Sequence, residues 1–521
     1  MQNKKTKVYI LLFFIIVLGF FLRIYNIDNA PPGVYPDEAV NGEDALRALN
    51  TGNFQWFYPA NQGREGLMMN LVALCFKFFG ASILSLKLPA IVFGTLTILG
   101  AYLLGKELFN TRVGLISSFL VSVGYWAINF NRISFRANLL PFVLVFSFYF
   151  LWKGLRTKNN WDFIFGGLFF GLGLHTYIAF RIAPAILIVT LISLIASRQN
   201  FLKEYWKKIL IFIIFTTLAA APMLYTFFWA HPEYFESRSD SISIFSTKIN
   251  QGNLAGTFLK SFVLSLAKYN FWGDQNWRHN YPPYPILDPF TGIAFLFGFI
   301  YILIQALQTL FFRIFKKIKN PEMDKYVFLI VWFFAMLAPE FMTAEGNPHA
   351  LRSIGTLPVV FLFSGISFDF FLKSAERHTF LFKKIIWSLV IFALIVIGFF
   401  NPIKYFYFWA NKPIVANSFN KSLTDISQYI QTLPKDYPTY IITSYNTLEK
   451  LPIYIFNSKR LNTKYLYTNQ TDQIQLGNSH FTIIMTGHYD DAIASIETHF
   501  PNLSLERINE SLGSTYYIFK K

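Results

Sequence analysis

Two things are scarce in this chain: cysteine and charge. The single Cys75 excludes an intrachain disulfide framework and any metal site built from several thiolates. Asp, Glu, Lys and Arg together make up only 14% of the 521 residues, against about 25% in an ordinary soluble domain. A soluble protein so poor in charge could not cover its own surface. No HExxH or comparably spaced carboxylate–histidine motif occurs, so no metal is expected; a divalent ion is possible but unsupported by the sequence, and no other cofactor is implied. No internal repeat or low-complexity tract is found either.

Apolar residues are abundant instead, at 54% of the chain, and 19% of residues are aromatic. They fall into runs at about 8–25, 82–104, 113–130, 137–152, 161–179, 182–197, 208–229, 289–312, 326–342, 353–372 and 385–401. Such runs suit a hydrocarbon core about 30 Å thick. The expected fold class is therefore an all-α polytopic membrane domain of about eleven spans. No small-residue cleavage site follows the first run, which reads as a retained span rather than a signal peptide. Residues 66–79, with Asn70 and Lys77 inside, are short for a span and suit a re-entrant or interfacial helix.

The charge that is present is basic, 46 Lys and Arg against 29 Asp and Glu, a net of +17. Its distribution argues for topology rather than for nucleic acid. The loops at 105–112, 153–160, 198–208, 313–325 and 373–384 hold 18 Lys and Arg. If 66–79 does not span, all five lie on the side of Lys4, Lys5 and Lys7, as the positive-inside rule requires. The expectation is a multi-pass protein of the inner or plasma membrane with its N-terminus inside. Loops 26–81 and 230–288, and everything after about 401, then lie outside. Residues 402–521 have mixed polarity, with helical patterns at Ser422–Leu433 and Tyr489–His499 and strand-like runs at Thr439–Ser444, Phe481–Met485, Leu503–Ile508 and Thr515–Phe519. That predicts a small extracytoplasmic α/β domain after a membrane domain of residues 1–401.

The loop after the first span is the most informative stretch. Pro36 suits the first turn of a helix, and Asp37 and Glu38 then fall where the helix dipole favours negative charge. Neighbours on a helix point about 100° apart, so the two cannot do the same job. One can serve as a base while the other holds the loop. Arginines collect at outer ends of spans: Arg132 and Arg136, spaced i, i+4; Arg181, after His175 and Tyr177; and Arg352, three residues after His349. Such residues commonly snorkel to the interface; their number on one face points further, to an anionic ligand. Asp274 and His279 lie among aromatics in the 230–288 loop, where sugar contact and plain interfacial packing both fit.

A first span followed by Pro36-Asp37-Glu38 heading an outer-loop helix resembles the membrane glycosyltransferases of the GT-C fold. The branch it resembles is glycosyltransferase family 39, with the dolichyl-phosphate-mannose protein mannosyltransferases and bacterial aminoarabinose transferases. Gly63-Arg64-Glu65-Gly66, Leu88-Pro89-Ala90-Ile91-Val92-Phe93-Gly94, Leu104-Gly105-Lys106-Glu107-Leu108-Phe109-Asn110 and Asn131-Arg132-Ile133-Ser134-Phe135-Arg136 extend the resemblance over roughly residues 8–360. Relatives often have Pro where this chain has Gly66 and Lys beside it where this chain has Glu65. The resemblance implies transfer of a monosaccharide from a polyprenyl-phosphate donor, drawn from the membrane lipid, to an extracytoplasmic acceptor: protein, glycolipid or polysaccharide. By it Asp37 is the general base and, with Glu38, the catalytic pair. Arg132, Arg136, Arg181 and Arg352 bind the donor phosphate, and Arg64, Glu65, His175, Tyr177 and His349 contact substrate. The competing readings are a carrier or lipid flippase, which would line its path with mid-span charge, and a non-catalytic scaffold. Charge here gathers at span ends.

Overall fold

The computed structural model describes residues 2–60, 63–236, 243–316, 323–343, 345–444, 450–460, 462–475 and 481–520. The chain divides into two compact units. The first contains Met1–Tyr25, Gln55–Met68 and Ala90–Tyr405; the second contains Asn26–Phe54, Met69–Pro89 and Phe406–Lys521.

The first unit is helical. Eight helices are long and apolar enough to cross a membrane: Lys5–Ile24, Ile83–Leu108, Arg136–Thr157, Ile178–Ser197, Phe201–Ala230, Pro289–Phe315, Ile354–Ala375 and Phe380–Trp409. A ninth span is formed if the pair Thr111–Val123 and Tyr125–Asn131, bent by 57°, counts as one. The remaining two of the eleven expected runs also fold as helices. Asn160–Leu172 has only 13 residues before the chain tightens into 3₁₀ turns, and Asp324–Phe341 carries Asp324, Lys325 and Glu340. Leu67–Phe79, also 13 residues and from Met69 on part of the second unit, is about 20 Å long and too short to span, as its sequence suggests. A second short apolar helix, Leu254–Ala267, lies within the stretch read from sequence simply as an aromatic loop.

Packing in this unit relies on small residues and buried polar groups, since helices in lipid gain little from burying apolar surface against one another. Gly167 and Gly171 let Asn160–Leu172 lie directly on Phe201–Tyr225. A Cβ on either would stand 2.4 Å from the Phe212 carbonyl oxygen or 2.2 Å from that of Thr216. The bend at Gly124 frees carbonyls at the end of Thr111–Val123, and the fully buried Arg23 answers them. Its guanidinium donates to Val121 O (3.1 Å), Ser122 O (3.1 Å) and Asn131 Oδ1 (3.0 Å). A buried cation is tolerated here because these acceptors, with Gly19 O at 2.8 Å, answer four of its N–H groups.

The second unit holds the α/β fold. Strands β1 (Phe57–Tyr58) and β2 (Arg64–Glu65) form a short hairpin in the first unit. β3 (Thr439–Thr443), β4 (Thr463–Tyr467), β5 (Thr482–Met485), β6 (Ser504–Asn509) and β7 (Thr515–Lys520) form one sheet in the second, in the order β4-β3-β5-β7-β6. β3 runs parallel to β4 and β5, with Thr439 opposite Thr463 and Thr482, whereas β7 is antiparallel to β5 and β6. Side chains alternate across the sheet. Tyr440, Ile442, Ile483, Met485 and Phe519 pack under helix Asp490–His499 with Ala492 and Ile496. Ile441, Ile484, Tyr516 and Ile518 pack on the other face with Leu423, Ile426 and Ile430 of Lys421–Thr432, and with Ile453 of Leu451–Asn457. The four strands and two helices expected here are present; β4 and Leu451–Asn457 were not anticipated. Helix Pro36–Thr51 belongs to this unit too, with Gly42 set against Ile455 and Leu86.

Candidate active site

Pro36 occupies the first turn of Pro36–Thr51, where its missing N–H costs nothing. Tyr35 precedes it in extended conformation, and its backbone N–H donates to Glu38 Oε2 at 3.1 Å. Glu38 is therefore the cap, fully buried, and its carboxylate is committed to the helix start. Asp37 stands one residue earlier, only partly buried. The two acidic neighbours separate as their angular offset requires: one holds the turn, and the other remains accessible.

In the first unit, the turn between Asn131 and Asn138 is fixed from inside. Asn138 Nδ2 donates to Phe130 O (2.8 Å) and Ile133 O (2.7 Å), and Asn131 Nδ2 donates to Asn138 Oδ1 (3.2 Å). Gly94 makes room for this turn: a Cβ there would lie 2.2 Å from Asn131 Cγ. The turn presents two arginines in different ways. Arg132 is fully buried, donates to Leu22 O at 2.8 Å, and lies over the Tyr405 ring at 5.3 Å. Arg136 forms an ion pair with Glu65 at 2.6 Å and lies over the Tyr177 ring at 5.6 Å.

Glu65 comes from the β1–β2 hairpin, where its neighbour Arg64 donates from Nε to Ala60 O at 3.1 Å. Nearby, His175 pairs its Nε2 with Ala219 O (2.9 Å) and meets the Trp56 ring edge-on at 5.6 Å. Arg181 donates to Phe235 O at 2.7 Å and is held between the rings of Phe227 and Phe235, at 4.9 and 4.5 Å. Both His175 and Arg181 feel the charge of Glu65. Five residues singled out separately in the sequence, Glu65, Arg136, His175, Tyr177 and Arg181, thus form one group around a single carboxylate.

Phe135, beside Arg136, packs edge-on against His279 at 6.0 Å, and Phe130 stacks on the same ring at 5.7 Å. His279 Nδ1 lies 3.0 Å from Asp274 Oδ2, which also accepts the Ala350 amide at 2.7 Å. The His349 ring is 4.7 Å from that of His279, and its Nδ1 is buried with no hydrogen-bond partner among the described residues. Burial, then the charges of His279, Arg352, Lys268 and Arg278, hold the His349 imidazole well below its ordinary value of 6.5, so it is neutral at pH 7. One ligand atom each from Asp274, His279 and His349 lies within 4.8 Å of the others, a donor set able to take a divalent cation. The sequence hid this set, because its members are 5 and 70 residues apart and match no spacing motif. Arg352 is held by Glu345, 3.0 Å from Nη2. Asp37 and Glu38 belong to the second unit, and all the arginines named here belong to the first.

Residues 67–225 match the family described as dolichyl-phosphate-mannose-protein mannosyltransferase. No curated protein matches the chain. Among solved structures it is similar to ArnT from Cupriavidus metallidurans in the apo state, at 11% identity over 99% of this chain and 98% of that one, TM-score 0.58. The same protein bound to undecaprenyl phosphate gives a TM-score of 0.54 at the same identity and coverage. AglB, the archaeal oligosaccharyltransferase from Archaeoglobus fulgidus, in complex with an inhibitory peptide and a dolichol-phosphate, gives 0.51 at 14% identity, over 88% of this chain and 64% of that one. The chain has the GT-C fold of these membrane glycosyltransferases.

Proposed function

We propose that this protein transfers a monosaccharide from a polyprenyl-phosphate donor to an acceptor on the extracytoplasmic side of the membrane. The observation that carries this reading is the different placing of the two acids that head Pro36–Thr51: Glu38 is fully buried with its carboxylate on the Tyr35 amide, whereas Asp37 is only partly buried, and Asp37 is the carboxylate we assign as base. The fold supports the donor class, since the similar structures include complexes with undecaprenyl phosphate and with dolichol-phosphate.

In the reaction, an acceptor oxygen attacks the anomeric carbon while the bond from that carbon to the phosphate oxygen breaks. Asp37 takes the acceptor's proton, and the electron pair leaves with polyprenyl phosphate. Direct displacement inverts the anomeric configuration. Charge developing on the phosphate needs fixed cations, and Arg136 and Arg181, oriented by Glu65, Tyr177 and the Phe227–Phe235 pair, are built for that. The basic loops at the other ends of the spans support an N-terminus inside and these groups outside.

The test is release of polyprenyl phosphate from a labelled donor by purified protein in the presence of cell-envelope acceptors. Release with an inverted product supports the reading. Movement of the donor across the bilayer without release, or a product of retained configuration, would overturn it.

A further inference from the structure

At the basic end of the first unit, away from the candidate active site, four stretches of chain line a cavity of about 860 Å³. Lys5, Val8 and Tyr9 come from the start of the first span; Tyr102 and Lys106 from the end of Ile83–Leu108. Asn110, Thr111, Arg112 and Leu115 begin the next helix, and Lys373, Glu376 and Trp387 flank the loop between the last two spans. Arg112 and Arg132 are 20 residues apart along the bent helix pair, so roughly 30 Å of helix separates the cavity from the candidate active site.

The cavity is cationic and partly rigid. Arg112 is anchored by Asp369 at 3.0 Å and Glu376 at 3.1 Å, and its guanidinium lies over the Trp387 ring at 5.5 Å. Lys373 pairs with the same Asp369 at 2.8 Å. Lys5 and Lys106 have no ion-pair partner among the described residues; the contact of Lys106 is the face of the Tyr102 ring, at 5.7 Å. Four cations thus line the space against Glu376, with Asp369 behind them. Two lining residues carry buried polar atoms with no hydrogen-bond partner among the described residues, the Tyr102 hydroxyl and Trp387 Nε1. The amino end of Thr111–Val123, capped by Asn110, adds positive potential at the same wall. The other walls are apolar, Val8 and Leu115, and continue onto the exposed face of the first span at Tyr9, Phe13 and Phe14.

We propose that this cavity binds the phosphate headgroup of an anionic phospholipid, with the acyl chains running along the first span. Basic pockets between span ends suit such headgroups. The polar half of the cavity suits any phosphate, and the apolar wall selects one that carries a tail. The cations would then hold a ligand as well as orient the chain in the membrane.

Native mass spectrometry of the full chain in detergent tests this, titrated separately with phosphatidylglycerol, phosphatidylcholine and inorganic phosphate. Phosphatidylglycerol should be retained at one saturable site and phosphatidylcholine should not. Lys106→Gln should weaken retention about fivefold and Lys5→Gln with Lys106→Gln about 25-fold, at roughly a factor of five per lysine near a lipid headgroup. Both side chains are exposed, so the variants should fold. Lys203→Gln, an exposed lysine outside the cavity, is the control for general charge. Equal retention of the two lipids, or equal loss in the Lys203→Gln control, would overturn the proposal. So would displacement of the lipid by millimolar inorganic phosphate, which would make the ligand a soluble anion.

Discussion

The two units are specified by opposite kinds of residue. In the second unit the informative side chains are apolar: Ile441, Ile442, Ile483, Ile484 and Ile518 alternate between the two faces of the sheet and decide which helix covers each. In the first unit apolar residues are nearly everywhere, and the informative side chains are the buried polar ones. Arg23, Asn131, Arg132, Asn138 and Glu65 fix the bend, the turn and the hairpin from which the candidate site is assembled. Water makes burial of carbon the selective event, whereas lipid makes satisfaction of polar groups the selective event.

Substitutions sharpen the contrast. The largest effect is expected at Asp37. Asp37→Asn keeps its shape but cannot take a proton, so sugar transfer should fall about 100- to 10,000-fold with donor binding retained. Near-normal turnover would reduce Asp37 to a second capping group. Next comes Arg136→Met, which strands the Glu65 carboxylate in a buried place and should cost about 3 to 5 kcal/mol in thermal unfolding of the full chain. Ile484→Ala removes three carbons from the sheet core, with no charge involved, and should cost about 3 kcal/mol. If Arg136→Met proved milder than Ile484→Ala, the contrast between the units would fail.

Glu38→Ala should cost about 1 kcal/mol, as loss of a helix cap does, with a far smaller effect on transfer than Asp37→Asn. The mildest expected effect is alkaline. Burial raises the phenols of Tyr465 and Tyr516 above their ordinary value of 10.0. The folded chain then keeps protons that the unfolded chain gives up, so the second unit should be at full stability below pH 10 and lose stability above it. Tyr516→Phe should blunt that loss, read as the tyrosinate absorbance of denaturant titrations at pH 9 and pH 11.

Hydropathy made the spans legible but not their irregularities. The break at Gly124 falls inside an apolar run that reads as one helix, and what stabilises it, Arg23, is about 100 residues away in sequence. The helix Asn160–Leu172 ends early because the chain turns at Gly173, which an average over apolar residues does not register. In the second unit β4 escaped notice because an edge strand half-buried on one side, Thr463–Tyr467, alternates only weakly. The site was legible as residue types. Proline followed by two acids marks the start of Pro36–Thr51, and the arginines stand where the apolar runs end. Pairing was not legible: nothing local ties Glu65 to Arg136, or Asp274 to His349.

The second unit is discontinuous along the chain, and this changes what a deletion can mean. A gene cut after residue 405 looks like the removal of a terminal accessory domain. It would also strip Pro36–Thr51 of Ile455, and the turn at Gly33 of the Phe419 and Lys421 backbone against which it is packed. The segment bearing Asp37 would lose its scaffold although every one of its own residues remained. A truncated protein that is inactive would therefore not show that the terminal domain takes part in chemistry. Resupplying residues 406–521 as a separate polypeptide is the informative experiment, because the helix is encoded near one end of the gene and its support near the other.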